Sequence, residues 1–336
     1  MKILMASYAY YPHVGGIETV GGLLAEEFIR QGHELKVVTH VAETGGDRLP
    51  YEVLRRPNLA AFLRTVVWCE ILFHNNISMR YVWPLALVAR PWVIAHHGWI
   101  SRSNGRVGVR DWWKRWLTRF ATNVCISQAL PDMLPVACTV IPNPYQASVF
   151  RVLPNVQRNQ DLVFLGRLVS EKGAAILLQA LATIARKRIR PSLSIIGDGP
   201  ERPLLERLAN ELGLQKQVRF CGQVYGPKLA ALLNQHRLLV VPSLLNEPFG
   251  LVAIEGIACG CVVAGSEGGG LKDAIGPCGM TFANGDVTAL ASVLQTLLQH
   301  TANTAKFLEA GELHLRKHRP DVVAAQYLEV FKAAIR

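Results

Sequence analysis

Two carboxylates stand eight positions apart in the run Asn246-Glu247-Pro248-Phe249-Gly250-Leu251-Val252-Ala253-Ile254-Glu255-Gly256. Glu247 follows Leu238-Leu239-Val240-Val241-Pro242-Ser243, an apolar run of the buried-strand type. Glu255 lies inside the apolar run Leu251 to Ala258, which reads as a helix. Pro248 suits a helix start, and Gly250 admits close approach of the backbone to a ligand. A strand ends, a loop carries Glu247, and a helix then presents its free N–H groups. That is an anion site with a hydrogen-bond acceptor on either side. Sugar phosphates call for this combination, with N–H groups for phosphate and carboxylates for hydroxyls. For the spacing alone, the plain alternative is two surface acids near a helix start.

A second stretch offers cations. Asp161-Leu162-Val163-Phe164-Leu165-Gly166 reads as a strand, and Gly166-Arg167-Leu168-Val169-Ser170-Glu171-Lys172-Gly173 as the turn into a helix from Ala174 to Arg186. Arg167 and Lys172 beside a helix N-terminus suit a diphosphate, Arg by forking onto two oxygens and Lys as a point charge. Further upstream, the strand Ile3 to Ser7 leads through Gly15-Gly16 into a helix with apolar Val20, Leu23, Leu24 and Phe28, and His33 to Thr39 follows as a strand. Strand, Gly loop, helix and strand make a Rossmann-type unit. The G-x-G-x-x-G dinucleotide fingerprint is missing, which counts against a nicotinamide enzyme. Pro91-Trp92-Val93-Ile94-Ala95-His96-His97-Gly98 is an apolar strand ending in two histidines, and α/β sheets place ligands at strand C-terminal ends.

With Pro242-Ser243 before it and Gly256, Ala258 and Gly260 after it, the Glu247-x7-Glu255 stretch resembles the signature of retaining glycosyltransferases of family 4, the group 1 glycosyltransferases. Three further motifs occur in the same order as in that family. They are the Gly15-Gly16 loop ending in Gly32-His33-Glu34-Leu35, the strand ending at His97, and Gly166-Arg167-Leu168 with Glu171-Lys172-Gly173. The resemblance implies an α/β chain of the GT-B fold, two Rossmann-like domains facing each other across a cleft. It implies an acceptor-binding domain at 1–150, joined by a C-terminal helix at about 320–336, and a nucleotide-sugar-binding domain at 158–319. It gives catalytic roles to His97, Glu247, Arg167 and Lys172, with His96 the alternate for His97. Donor binding falls to Gly15, Gly16, Arg167, Lys172, Glu247, Phe249, Gly250, Leu251 and Glu255. Glu255 is expected to accept from ribose hydroxyls. The expected enzyme is a retaining hexosyltransferase, with a UDP-sugar favoured as donor and a glycan or lipid-linked acceptor. No D-x-D motif is present, so no metal and no cofactor are expected. The sequence departs from the family's pattern at Gly256, where Ala is usual, at Cys261, where Pro is usual, and at Arg237, where an acid commonly precedes the strand.

The elements that position these residues need two cores, and 336 residues with 50% apolar composition supply them. Seven scattered cysteines without framework spacing argue for reduced thiols and a cytoplasmic chain. Met1 to Ala6 is expected to be a first strand rather than a signal peptide. The net charge is +11, and both halves are basic. Anionic small substrates or lipid headgroups are therefore candidate partners, while no nucleic-acid-binding motif is present. Six basic residues, one acid and three tryptophans fall between Ser101 and Phe120. Gly105 and Gly108 suggest a mobile loop there, and Asp111 to Leu117 a helix. Trp with Arg and Lys is the composition of interfacial helices, so the Arg110–Arg119 region is a candidate dock for the inner face of a membrane. The alternative is a helix with its aromatic face in the core. Rival readings of the whole are a non-catalytic glycan- or nucleotide-sugar-binding subunit and a GT-B epimerase or phosphorylase.

Overall fold

Short runs rich in Val, Ile and Leu recur along the chain between amphipathic segments, the pattern of parallel strands buried on both faces by helices. The computed structural model describes residues 1–13, 15–42, 49–100 and 108–336, without the side chains of residues 301–303. The mobile-loop expectation at 101–107 lies outside the described residues. Contacts divide the chain into one unit of Met1–Tyr145 with Lys317–Arg336 and another of Gln146–Arg316.

The first unit runs β1 (Lys2–Ala6), α1 (Gly16–Arg30), β2 (Glu34–Thr39), β3 (Glu52–Arg55), α2 (Leu59–Trp68), β4 (Ile71–Asn75), β5 (Trp92–His96), α3 (Val109–Leu117), β6 (Thr122–Cys125) and β7 (Thr139–Val140). Its parallel sheet has the order β3-β2-β1-β4-β5-β6-β7. The order reverses between β1 and β4, where Met5 lies opposite Phe73. Both strands are almost wholly buried because helices cover the two faces of the sheet.

The second unit runs β8 (Gln160–Leu165), α4 (Ala174–Ala185), β9 (Leu193–Ile196), α5 (Arg202–Glu211), β10 (Val218–Gly222), α6 (Gly226–Gln235), β11 (His236–Val241), α7 (Leu251–Ala258), β12 (Val262–Ser266), α8 (Leu271–Ile275), β13 (Gly279–Phe282), α9 (Val287–Gln299) and α10 (Thr301–Arg316). Its sheet order is β10-β9-β8-β11-β12-β13, reversing between β8 and β11. Leu239 of β11 sits between Val163 and Val263. One apolar cluster, including Phe164, Leu177, Leu181, Leu238, Leu290 and Leu294, fills the space between the strands, α4 and α9. The stretch before β8 is anchored to this unit. Leu153 N–H donates to Asn234 Oδ1 (2.8 Å), and Arg158 donates to the carbonyls of His236 and Cys259.

Helix α10 has no counterpart among the sequence expectations. It carries little apolar periodicity and an internal glycine, Gly311, so its sequence does not announce a helix. Tertiary contact supplies what the pattern lacks, since buried His314 donates from Nε2 to the carbonyl of Ala274 (2.8 Å).

The last helix, α11 (Pro320–Ile335), belongs to the first unit. Phe331 and Tyr327 are buried on it, and Phe331 meets Phe28 of α1 and Phe73 of β4 at ring separations of 5.5 and 5.2 Å. His318 donates from Nδ1 to the carbonyl of Asn143 (3.0 Å). The aromatic cluster makes α11 part of the first unit's core, so Phe331→Ala is expected to cost about 3–5 kcal/mol. Urea unfolding of the variant against the parent chain measures this, and a loss within about 0.5 kcal/mol would show that α11 is peripheral.

Candidate functional site

The second sheet reverses its order between β8 and β11, and in α/β sheets ligands bind at the C-terminal ends of such strands. The loop after β8 turns through Ser170–Lys172 and is pinned to the loop after β11 by Leu244 N–H donating to Glu171 O (2.8 Å). Gly173 closes the turn at φ 70°, and a Cβ there would stand 1.8 Å from Pro242 O. Only glycine lets the two loops pack this closely. The loop after β12 joins them, with Gly270 N–H donating to Glu247 O (2.7 Å).

This packing brings Lys172 and Glu247 together across 75 residues of sequence. The Lys172 ammonium donates to Glu247 Oε1, which also accepts from Ser243 Oγ (2.7 Å). Ser243 entered the sequence reading only as part of the motif, without a role, and its hydroxyl bond to Glu247 comes from the fold. Arg167 is exposed on the same turn. Gly250 at φ 110° caps the start of α7, so Leu251 and the residues after it direct their N–H groups out of the helix end beside Glu247. Phe249 is buried next to this cap.

Glu255 lies one turn into α7 and is partly exposed. Burial pushes its carboxyl up to about 8, with no cation or donor acting against it among the described residues. At neutral pH it is mostly protonated, able to donate as well as accept.

In the first unit, Gly15 and Gly16 stand at the start of α1, beside the reversal between β1 and β4. Asn75 at the end of β4 ties this corner together, donating to Ser7 Oγ and Ile17 O (both 3.1 Å). The two histidines after β5 differ. His96 is fully buried and its Nε2 bonds Asn123 Oδ1 (2.9 Å). His97 is buried at the end of the strand, with no partner for Nε2 among the described residues. Burial, and then the neighbouring His96, push its imidazole down to about 3 against the opposing pull of Asn143. His97 is therefore neutral, a hydrogen-bonding ring and not a cation. Among the described residues, no group of three His, Cys, Asp or Glu side chains is placed to hold a metal ion.

Helix α3 buries none of its residues, so the aromatic-face-in-the-core alternative does not describe it. Trp112, Trp113 and Trp116 are 54%, 46% and 37% exposed and stack edge to face along the helix toward exposed Phe120. Trp112, Arg115, Trp116 and Arg119 line a cavity of about 340 Å³ with Asp132 to Pro135. Among the described residues, no helix is long and apolar enough to cross a membrane.

Two Rossmann-like units with these sheet orders define a GT-B fold, with a loop-held Lys–Glu pair beside a helix start in the second unit. The family model for group 1 glycosyl transferases matches residues 147–314, half of the chain, and the chain belongs to that family. It is 27% identical over 272 residues to a phosphatidyl-myo-inositol mannosyltransferase of Mycobacterium leprae, covering 78% of this chain and 72% of that one. It is 29% identical over 252 residues to a glycogen synthase of Mycobacterium tuberculosis, covering 72% of this chain but only 61% of that one. The fold matches the crystal structure of Anabaena Alr3699/HepE in complex with UDP and glucose at a TM-score of 0.81 and 21% identity, over 99% of this chain and 100% of that one.

The raised carboxyl of Glu255 has a consequence for stability. In the unfolded chain this group ionises near its ordinary value, while in the folded chain it holds its proton to about pH 8. Its contribution to stability is complete below the unfolded value and is lost as pH rises through the folded one. Thermal unfolding between pH 5 and 8 is expected to show a steeper fall in stability for the parent than for Glu255→Gln. Parallel profiles would mean that the carboxyl titrates normally.

Proposed function

We propose that this chain is a retaining glycosyltransferase that moves a hexose-type sugar from a nucleotide-sugar donor, with UDP-sugar favoured, to an acceptor hydroxyl in polysaccharide, lipopolysaccharide or lipid-linked glycan synthesis. The observation that carries the reading is the Lys172–Glu247 pair at the reversal point of the second sheet, beside the N-terminus of α7. The complex of HepE with UDP and glucose supports the donor class.

Each residue then has a task. The diphosphate takes its charge balance from Arg167, Lys172 and the α7 N-terminus, with the Phe249, Gly250 and Leu251 backbone beside it. Donor binding exchanges phosphate for Glu247 as the partner of Lys172, freeing the carboxylate to hold sugar hydroxyls. Glu255 binds the ribose hydroxyls. Gly15 and Gly16 leave room for the diphosphate and acceptor at the start of α1. Neutral His97 hydrogen-bonds the transferred sugar through its unpartnered Nε2. In the reaction, the bond from the anomeric carbon to the leaving phosphate oxygen breaks. A bond to the acceptor oxygen forms on the same face, and the acceptor proton passes to that phosphate oxygen. No protein nucleophile is needed. The work is charge stabilisation of the departing diphosphate without a metal or cofactor.

The exposed Trp–Arg surface of α3 supports a peripheral station on the cytoplasmic face of a membrane, its aromatic rings at headgroup depth and its cations on anionic lipid. Co-sedimentation with vesicles containing phosphatidylserine is expected at low salt and to be lost in the Trp112→Ala/Trp116→Ala variant. Equal recovery with neutral vesicles, or no binding at low salt, would remove α3 from this role.

Calorimetry with UDP, GDP and ADP, followed by product analysis with the matching sugar nucleotides, tests the main reading. One nucleotide is expected to bind selectively, and Lys172→Ala and Glu255→Ala to weaken it by about tenfold or more. The transferred sugar should keep its anomeric configuration, and chelator should leave the rate unchanged. Nucleotide binding without transfer to any acceptor would favour the non-catalytic subunit, and a changed sugar with no transfer would favour the epimerase.

A further inference from the structure

A second basic pocket lies on the first unit, lined by none of the residues assigned above. Arg56 directly follows β3, Pro57 and Leu59 open α2, and Phe62 lies within that helix. Arg80, Tyr81 and Trp83 come from two short 3-10 turns after β4. These seven side chains line a cavity of about 260 Å³. It sits at the C-terminal ends of β3 and β4, the edge of a parallel sheet where ligands bind.

Its chemistry is that of an anion site with an apolar wall. Arg56 donates from Nε to His40 O (2.8 Å), while Arg80 makes no ion pair or hydrogen bond among the described residues. After burial, Arg80 and then Arg56 push the His40 imidazole below its ordinary value, so both guanidinium charges act on one spot. The N-terminus of α2, where Asn58 Oδ1 accepts from Ala61 N–H, adds the positive end of a helix dipole. Tyr81 is 3% exposed, and its hydroxyl has no hydrogen-bond partner among the described residues. Burial pushes that hydroxyl up to about 12, so it stays a donor. Phe62 packs edge to face on Tyr81 at 5.5 Å and on Trp83 at 5.9 Å, which makes the wall aromatic.

We propose that this pocket binds a phosphate ester carried by the acceptor, with the esterified group against Phe62, Trp83 and Leu59. The assignment rests on the reading that the first unit receives the acceptor. A phosphate monoester, with close to two negative charges, matches two arginines, whereas one carboxylate would leave a guanidinium unbalanced.

Phenyl phosphate is the probe, titrated by calorimetry with and without saturating UDP. The parent chain is expected to bind it saturably and more weakly as salt rises. Arg56→Gln/Arg80→Gln is expected to weaken it by about tenfold or more while UDP binding is unchanged. Benzoate should bind less well than phenyl phosphate. Displacement of the probe by glucose 1-phosphate identifies a sugar phosphate, and displacement by dihexanoyl phosphatidic acid identifies a lipid phosphate. Equal binding to parent and double variant, no binding to the parent, or displacement by neither competitor overturns the proposal. If the probe behaves as expected while no nucleotide binds, the pocket stands and the donor reading falls.

Discussion

The pairing of β8 with β11 places Lys172 against Glu247, and most of the second unit's site follows from that contact. An ammonium and a carboxylate on a partly shielded surface attract at short range, but neither loop could hold its partner without the close packing of Gly173 on Pro242 O. Ser243 donates to the same carboxylate oxygen and fixes its direction. Glu247 is thereby preorganised, and Lys172 is stored beside the helix end where an anion would arrive. The ion pair keeps both charges compensated.

Charge and neutrality are divided along the chain. The cations Arg167 and Lys172 lie on a solvent-accessible turn. Buried His97 and partly exposed Glu255 are both pushed toward their neutral forms by loss of water. A neutral imidazole and a protonated carboxyl are suited to hydroxyl recognition, and exposed cations to phosphate. In the first unit, Asn75 ties the loop after β1 to the start of α1.

Departures from the family pattern have local physical reasons. A Cβ at Gly256 would meet Leu239 Cδ2 at 2.4 Å, so the apolar side chain on β11 takes the room that a methyl group would need. Arg237 lies 3.6 Å from Asp161 on the neighbouring strand, which supplies the opposite charge. Cys261 is buried and donates to Leu233 O (3.3 Å), a role in which its thiol acts as a small polar filler.

Local sequence was enough for the class of fold and for naming candidate site residues. Apolar runs ending in glycine-rich turns alternate with helical segments along the chain, and that alternation suits strands buried in a parallel sheet. Glu247, Glu255, Arg167 and Lys172 stood out as candidates because each lies at or near the junction of such a run with a helix. Other features depended on contacts between distant segments. The shared oxygen of Glu247, the raised carboxyl of Glu255 and the contrast between His96 and His97 follow from burial and partners that no local pattern encodes. Helix α10 and the pocket of Arg56, Arg80 and Tyr81 were invisible for the same reason. Weak local preference was overridden by packing in the first, and three short segments were brought to one sheet edge in the second. Local periodicity reports which face of an element is apolar, whereas the partner of a polar atom is set only when strands pair and loops close on one another.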